Sequence, residues 1–156
     1  TKRYVLGTPA QRKELETEGI RLAAARKPIL KELIKDDPES ALGAAVPMVV
    51  RQELPESILS LLERRFNQRM PVTVYQGSPM PGAPLPAKTL THRIVQIEGE
   101  GAFNLHVFGR RAEIITNQQN AAINGIGYDR EIAANPWPFR ALERGEIPPS
   151  NKRFIT

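Results

Sequence analysis

Two histidines, three arginines and a few acids are the residues of this chain whose types and spacing could do chemistry. His92 and His106 fall on two β-rich stretches, residues 89–97 and 103–108, joined by a glycine-containing turn, so they are expected as cross-strand neighbours. A metal would need a third and usually a fourth ligand, and the nearest carboxylates, Glu98 and Glu100, sit in the turn rather than beside both imidazoles. No metal site is therefore assigned, and the two imidazoles read as residues of a polar sheet face. Arg110-Arg111 after Gly109, with Arg93 in the hairpin, is the basic cluster of the β-rich half. It could bind an acidic peptide, a sugar acid or a phosphate. The plainer alternative is that these cations keep a strand end soluble and unpaired.

Nucleophilic and phosphate chemistry find no support. There is no G-x-S-x-G elbow, and Ser40, Ser57, Ser60, Ser78 and Ser150 fall at expected caps, helix faces or loops. Gly99-x-Gly101 and Gly125-x-Gly127 lack the third glycine or the Lys-Ser/Thr of a phosphate loop, so both read as turns or bulges. Asp36 and Asp37 stand before Pro38, where a carboxylate caps the next helix. Zero cysteine removes disulfides, thiolate nucleophiles, Cys-ligated zinc and iron–sulfur clusters together, and no cofactor is expected.

The remaining composition is that of an ordinary globular chain: 156 residues, 40% apolar and 25% charged, with no apolar run approaching the roughly 18 residues of a membrane span. The formal charge is +5, but the excess is spread: up to Met70 there are 13 Lys or Arg against 10 Asp or Glu, and after it 9 against 7. In the first half the signs alternate, as in Arg12, Lys13, Glu14 and Glu16, which is the pattern of a solvated helix face. Only 6% of residues are aromatic, so a nucleic-acid partner is not expected. Thr1-Lys2-Arg3-Tyr4 carries a basic pair without the apolar stretch of a signal peptide, so any targeting segment has been removed or was never there.

The elements that must position these side chains follow from periodicity. Residues 8–67 read as helical. Thr8-Pro9-Ala10-Gln11 has the form of a capping box with proline in the first turn. Leu15, Leu22, Ile29 and Leu33 then recur at helical spacing, widened by Leu30 and Ile34, and are expected to face the core. Pro28 predicts a kink, or two abutting helices, near Arg26. A short helix follows Asp37-Pro38, and a third helical segment places Leu54, Ile58, Leu61, Leu62 and Phe66 on one face. From Pro71 the period becomes two: Val72-Thr73-Val74-Tyr75 is β-rich, and the prolines at 79, 81, 84 and 86 make residues 77–86 an exposed loop. Phe103, Leu105 and Val107 alternate with Asn104 and His106. Residues 112–116 and 121–126 add two expected strands around the polar turn Asn117-Gln118-Gln119-Asn120. Pro136-Trp137-Pro138-Phe139 reads as an extended aromatic docking segment, and Pro148 to Arg153 as a linker or processing site.

The expected architecture is α+β: an N-terminal helical layer packed on a small, mostly antiparallel sheet that could close into a barrel. Residues 1–70 form the helical part, 71–135 the β-rich part and 136–156 an extended tail or linker, together making one compact unit.

Several phrases together carry a resemblance. Asp37-Pro38-Glu39-Ser40-Ala41-Leu42, Ala44-Ala45-Val46-Pro47, Leu54-Pro55 and Leu61-Leu62-Glu63-Arg64-Arg65 are followed by Val107-Phe108-Gly109-Arg110-Arg111 and Asn124-Gly125-Ile126-Gly127-Tyr128-Asp129. In that order, over roughly residues 15 to 140, they resemble an N-terminal, propeptide-like domain of large secreted multidomain proteins of environmental bacteria, some of which continue into metallopeptidase or carbohydrate-binding modules. The resemblance implies export, a position upstream of other modules and a non-catalytic role, and it brings no active-site residues. The functional expectation is a non-enzymatic interaction domain or pro-domain that docks on a following domain or a partner chain. Its contact surface would comprise the Pro-rich loop, Arg93, Arg110, Arg111, Trp137 and Phe139. The alternative is a structural subunit of an extracellular assembly whose tail reaches onto a neighbouring copy; a small hydrolase comes third.

Overall fold

The computed structural model describes residues 6–84 and 90–147. The readings of Thr1 to Tyr4, of the last two residues of the Pro-rich loop (85 and 86), of Thr89, and of Pro148 to Arg153 lie outside the described residues. Helix α1 (Pro9–Asp36) begins with the expected box: the Thr8 hydroxyl accepts from the Gln11 N–H at 3.4 Å, and the Gln11 side-chain oxygen accepts from the Thr8 N–H at 2.9 Å. Helix α2 (Pro38–Gly43) is capped by Asp37, whose carboxylate accepts from the Ser40 N–H at 3.1 Å. Two single turns, α3 (Met48–Arg51) and α4 (Glu56–Leu59), lead into the sheet.

Five strands follow: β1 (Arg64–Gln76), β2 (Thr91–Ile97), β3 (Gly101–His106), β4 (Gln118–Tyr128) and β5 (Glu131–Ala134). A short 3-10 helix, η1 (Gly109–Glu113), lies between β3 and β4. The barrel closes in the order β1-β2-β3-β5-β4, and every neighbouring pair is antiparallel except β3 with β5. A meander of three strands with the fourth returning beside the first is a Greek key, and with β5 closing the gap this is the connectivity of OB-type barrels. That architecture serves many unrelated functions, so function has to be argued from the site.

The fold is α+β as expected, and several elements differ in detail. Helix α1 is unbroken through Pro28. Both Pro28 and Ala24, whose carbonyl loses its donor, are exposed, so water can take the missing bond. Of the expected stripe the helix buries Leu30 and Ile34, together with Ala23, but leaves Leu22 53% and Ile29 71% exposed. The third helical segment stops at Leu59, and β1 starts at Arg64, so Phe66 is a strand residue. Pro71 sits where the β1–β4 register shifts between Met70 and Val72, an irregularity that tolerates a residue without an N–H. Residues 112–116 form no strand; their first part belongs to η1. Gly99 and Gly101 are turn glycines with φ of 77° and 91°, whereas Gly125 and Gly127 lie inside β4. A Cβ at Gly125 would stand 1.9 Å from the Ala133 carbonyl oxygen, so it is the closeness of β5 that demands glycine there.

Two apolar clusters hold these parts. Phe66, Met70, Val95, Phe103, Leu105 and Ile123 fill the barrel interior with their neighbours, and the Phe66 and Phe103 rings meet edge-on at 6.1 Å. Leu30, Ile34 and Ala41 of the helices pack on Ile126, Tyr128 and Ala133, the outward face of β4 and β5. Among the described residues no helix is long and apolar enough to cross a membrane.

Candidate functional site

Strand direction gathers the expected contact surface. With β1 antiparallel to β2 and β4, and β3 parallel to β5, the end of β1, the start of β2, the ends of β3 and β5 and the start of β4 share one mouth of the barrel. The Pro-rich loop after Gln76, η1 and the Pro136–Phe139 segment all leave from that mouth.

The three arginines of the expected site play different parts there. Arg110 is exposed, with its guanidinium carbon 4.8 Å from the Trp137 ring centroid, a cation–π stack that joins two of the expected residues. Trp137 remains 49% exposed and Phe139 77%. Arg111, expected at the surface beside Arg110, is buried: it donates from Nε to the Asn135 carbonyl at 2.9 Å and from Nη2 to the Ala122 carbonyl at 2.7 Å. Successive residues of a tight 3-10 turn point in different directions, so one arginine enters the barrel mouth while its neighbour faces water. Arg93, half-buried, donates to the Ala112 and Ile114 carbonyls at 2.8 and 3.2 Å and so holds the far end of η1; its Nε is buried and has no hydrogen-bond partner among the described residues. Burial holds the pKa of both Arg93 and Arg111 below the ordinary guanidinium value. Gly109, with φ of 57°, opens η1 against Pro136, which a Cβ would approach to 3.2 Å.

The two histidines are not paired with each other. The β2–β3 ladder runs only from Ile94 with Asn104 to Ile97 with Gly101, so both lie beyond its end. His92 is exposed and stands opposite Tyr75 of β1. His106 Nε2 lies 2.6 Å from a Glu131 carboxylate oxygen, and Asn104 donates to the other oxygen at 3.2 Å. Among the described residues no three His, Cys, Asp or Glu side chains gather as metal ligands.

One charged centre was not anticipated. Glu63, at the start of the barrel, is fully buried. Its carboxylate accepts from Arg26 of α1 at 2.5 Å and from the Val46 N–H at 2.7 Å, with Arg51 of α3 at 3.1 Å. Burial alone would raise its pKa, but the Arg26 guanidinium and the Val46 N–H outweigh that and hold it below the usual carboxylate range. Ionised, with both oxygens accepting hydrogen bonds, this group fastens helix to barrel. Arg65 extends the network to Glu143 of the tail, which also accepts from the Met48 N–H at 3.1 Å, and Gln52 donates to the Gly145 carbonyl at 2.6 Å. Residues 136–147 are thus clasped to the body. The sequence signal was slight: a single glutamate followed by two arginines, flanked by leucines.

An open cleft of about 840 Å³ beside the first turns of α1 is lined by Leu6, Leu15, Glu14 and Glu18 among others and shares no residue with the η1 mouth. Comparison with family models, curated proteins and solved structures returns no match for this chain.

Proposed function

We propose that this chain is a non-catalytic interaction domain, of the pro-domain type, that docks on a following domain or a partner chain of an exported bacterial protein. The observation that carries the reading is the exposed Arg110–Trp137 stack, with Phe139 beside it in the chain, on a barrel mouth whose framework is held rigidly by Arg93 and Arg111. Arginine and large aromatic side chains on a rigid support are what interface hot spots are made of. Export and a bacterial source rest on the resemblance to propeptide-like domains.

The test is co-purification of native material with terminal sequencing of whatever travels with it, repeated with Trp137→Ala and Arg110→Ala. Loss of the partner at unchanged melting temperature is the expected result; retention by both variants overturns the placement. A second reading, a building block of an extracellular assembly, draws on Leu22 and Ile29, which stand exposed seven residues apart on α1. Light scattering separates the two: a pro-domain stays monomeric, whereas a building block gains mass with concentration and loses that gain in Leu22→Glu.

A further inference from the structure

We propose that the segment received by the η1 mouth of the barrel is an acidic stretch of polypeptide supplied by the partner, an inference that rests on the interaction reading above. Many guanidinium groups of this molecule are paired with carboxylates. Arg26 and Arg51 share Glu63, Arg65 meets Glu143, Arg64 meets Glu100 and Arg140 meets Glu146. Arg93, Arg110 and Arg111 make no ion pair among the described residues; Arg69 and Arg130 are likewise held by carbonyl oxygens, so what sets the mouth apart is that three such cations gather at one end of the barrel. Arg93 and Arg111 are held by carbonyl oxygens alone, which fill hydrogen-bond sites without cancelling charge.

The sequence around the mouth adds little negative charge. The described residues 77–84, 90–93, 107–120 and 134–139, which form it, contain one carboxylate, that of Glu113. Guanidinium groups stay protonated in proteins, so two partly desolvated charges lie beneath one exposed charge, and their field emerges where water is thinnest. Arg110 presents that charge usefully: one face lies on Trp137, and its N–H edge makes no hydrogen bond among the described residues, leaving it open for a bidentate carboxylate.

The stretches of this sequence outside the described residues bring no carboxylate side chain. Residues 1–5, 85–89 and 148–156 contain no Asp or Glu, and the first and last of these stretches each bring a Lys-Arg pair. The apolar side chains standing exposed around the mouth, Met80, Ile115, Trp137 and Phe139, favour a peptide that mixes acids with apolar residues over a bare polyanion such as a sulfated polysaccharide.

The experiment is fluorescence anisotropy of the full chain with a labelled peptide of Asp-Glu-Phe repeats, with its Asn-Gln-Phe counterpart and a heparin oligosaccharide as competitors. The expected result is saturable binding that weakens about tenfold or more with Arg110→Glu but less than about twofold with the charge-matched Lys13→Glu on α1. Amide shifts should centre on η1 and on the Trp137 indole. Equal weakening by the two reversals, no saturable binding, or heparin binding more tightly than the peptide each overturns the proposal. If the amide peptide binds as well as the acidic one and Trp137→Ala abolishes both, the interface stands and its acidic partner falls. If Trp137→Ala also retains the native partner, the interface reading falls with it.

Discussion

Arg110 and Arg111 are neighbours in sequence with opposite roles. Arg111 reaches inward and closes the barrel mouth through the carbonyls of Ala122 and Asn135. Truncation removes two charge-assisted hydrogen bonds and leaves a void, so Arg111→Ala is expected to lose about 2 kcal/mol or more in urea unfolding. Arg110→Ala should change stability by less than about 0.5 kcal/mol, because its side chain is exposed and lies on the face of Trp137. Equal effects from the two substitutions would mean that the inward and outward assignments are wrong.

At the level of elements, two positions test how the layers meet. Strands β4 and β5 approach so closely at Gly125 that a methyl group would overlap the Ala133 backbone, and backbone cannot swing aside as a side chain can. Gly125→Ala is expected to cost at least about 3 kcal/mol or to prevent barrel closure, as seen by loss of the far-UV and amide-dispersion signatures of the sheet. On α1 the outer stripe carries little energy. Ile29→Lys should leave the unfolding midpoint within about 0.5 kcal/mol of the parent, since most of that side chain is already in water. A large loss would place Ile29 in a packed interface and would favour self-association through α1.

Across the whole molecule, helical layer, barrel and tail are joined by two ionic groups, Arg26–Glu63–Arg51 and Arg65–Glu143, which meet at the Val46 carbonyl that Arg51 and Arg65 share. Burial pushes Glu63 and Glu143 upward, but Arg26 and Arg65 with backbone N–H groups more than offset it; Glu146 is held down first by Arg140. All three carboxylates therefore sit below their ordinary value in the folded chain. The stability they contribute is fully present above the unfolded carboxylate pKa of about 4.3 and is lost as pH falls through the lower folded values. Urea midpoints should accordingly be level near neutrality and drop between about pH 4 and pH 2. A Glu63→Gln variant should be less stable at neutral pH, with a shallower acid slope. An unchanged slope would take Glu63 out of the linkage.

What could be read from residues alone was whatever neighbours in the chain decide. The Thr8–Gln11 box, the Asp37 cap, the positive-φ glycines of the β2–β3 turn and the inward alternation of Phe103 and Leu105 are local geometry, and each is found as expected. Arg110 and Trp137 were also singled out by type, because exposed arginine and aromatic residues are what interfaces enrich. Tertiary structure alone decided which of two adjoining apolar stripes of α1 faces inward, since the choice depends on Ile126 and Ala133, roughly a hundred residues away. It also decided that the four-residue β5 exists, that Arg111 is interior and that Glu63 is buried, because their partners come from segments distant in sequence. Periodicity records that a side chain is apolar or charged; only the surface brought against it determines whether it is core, clasp or contact.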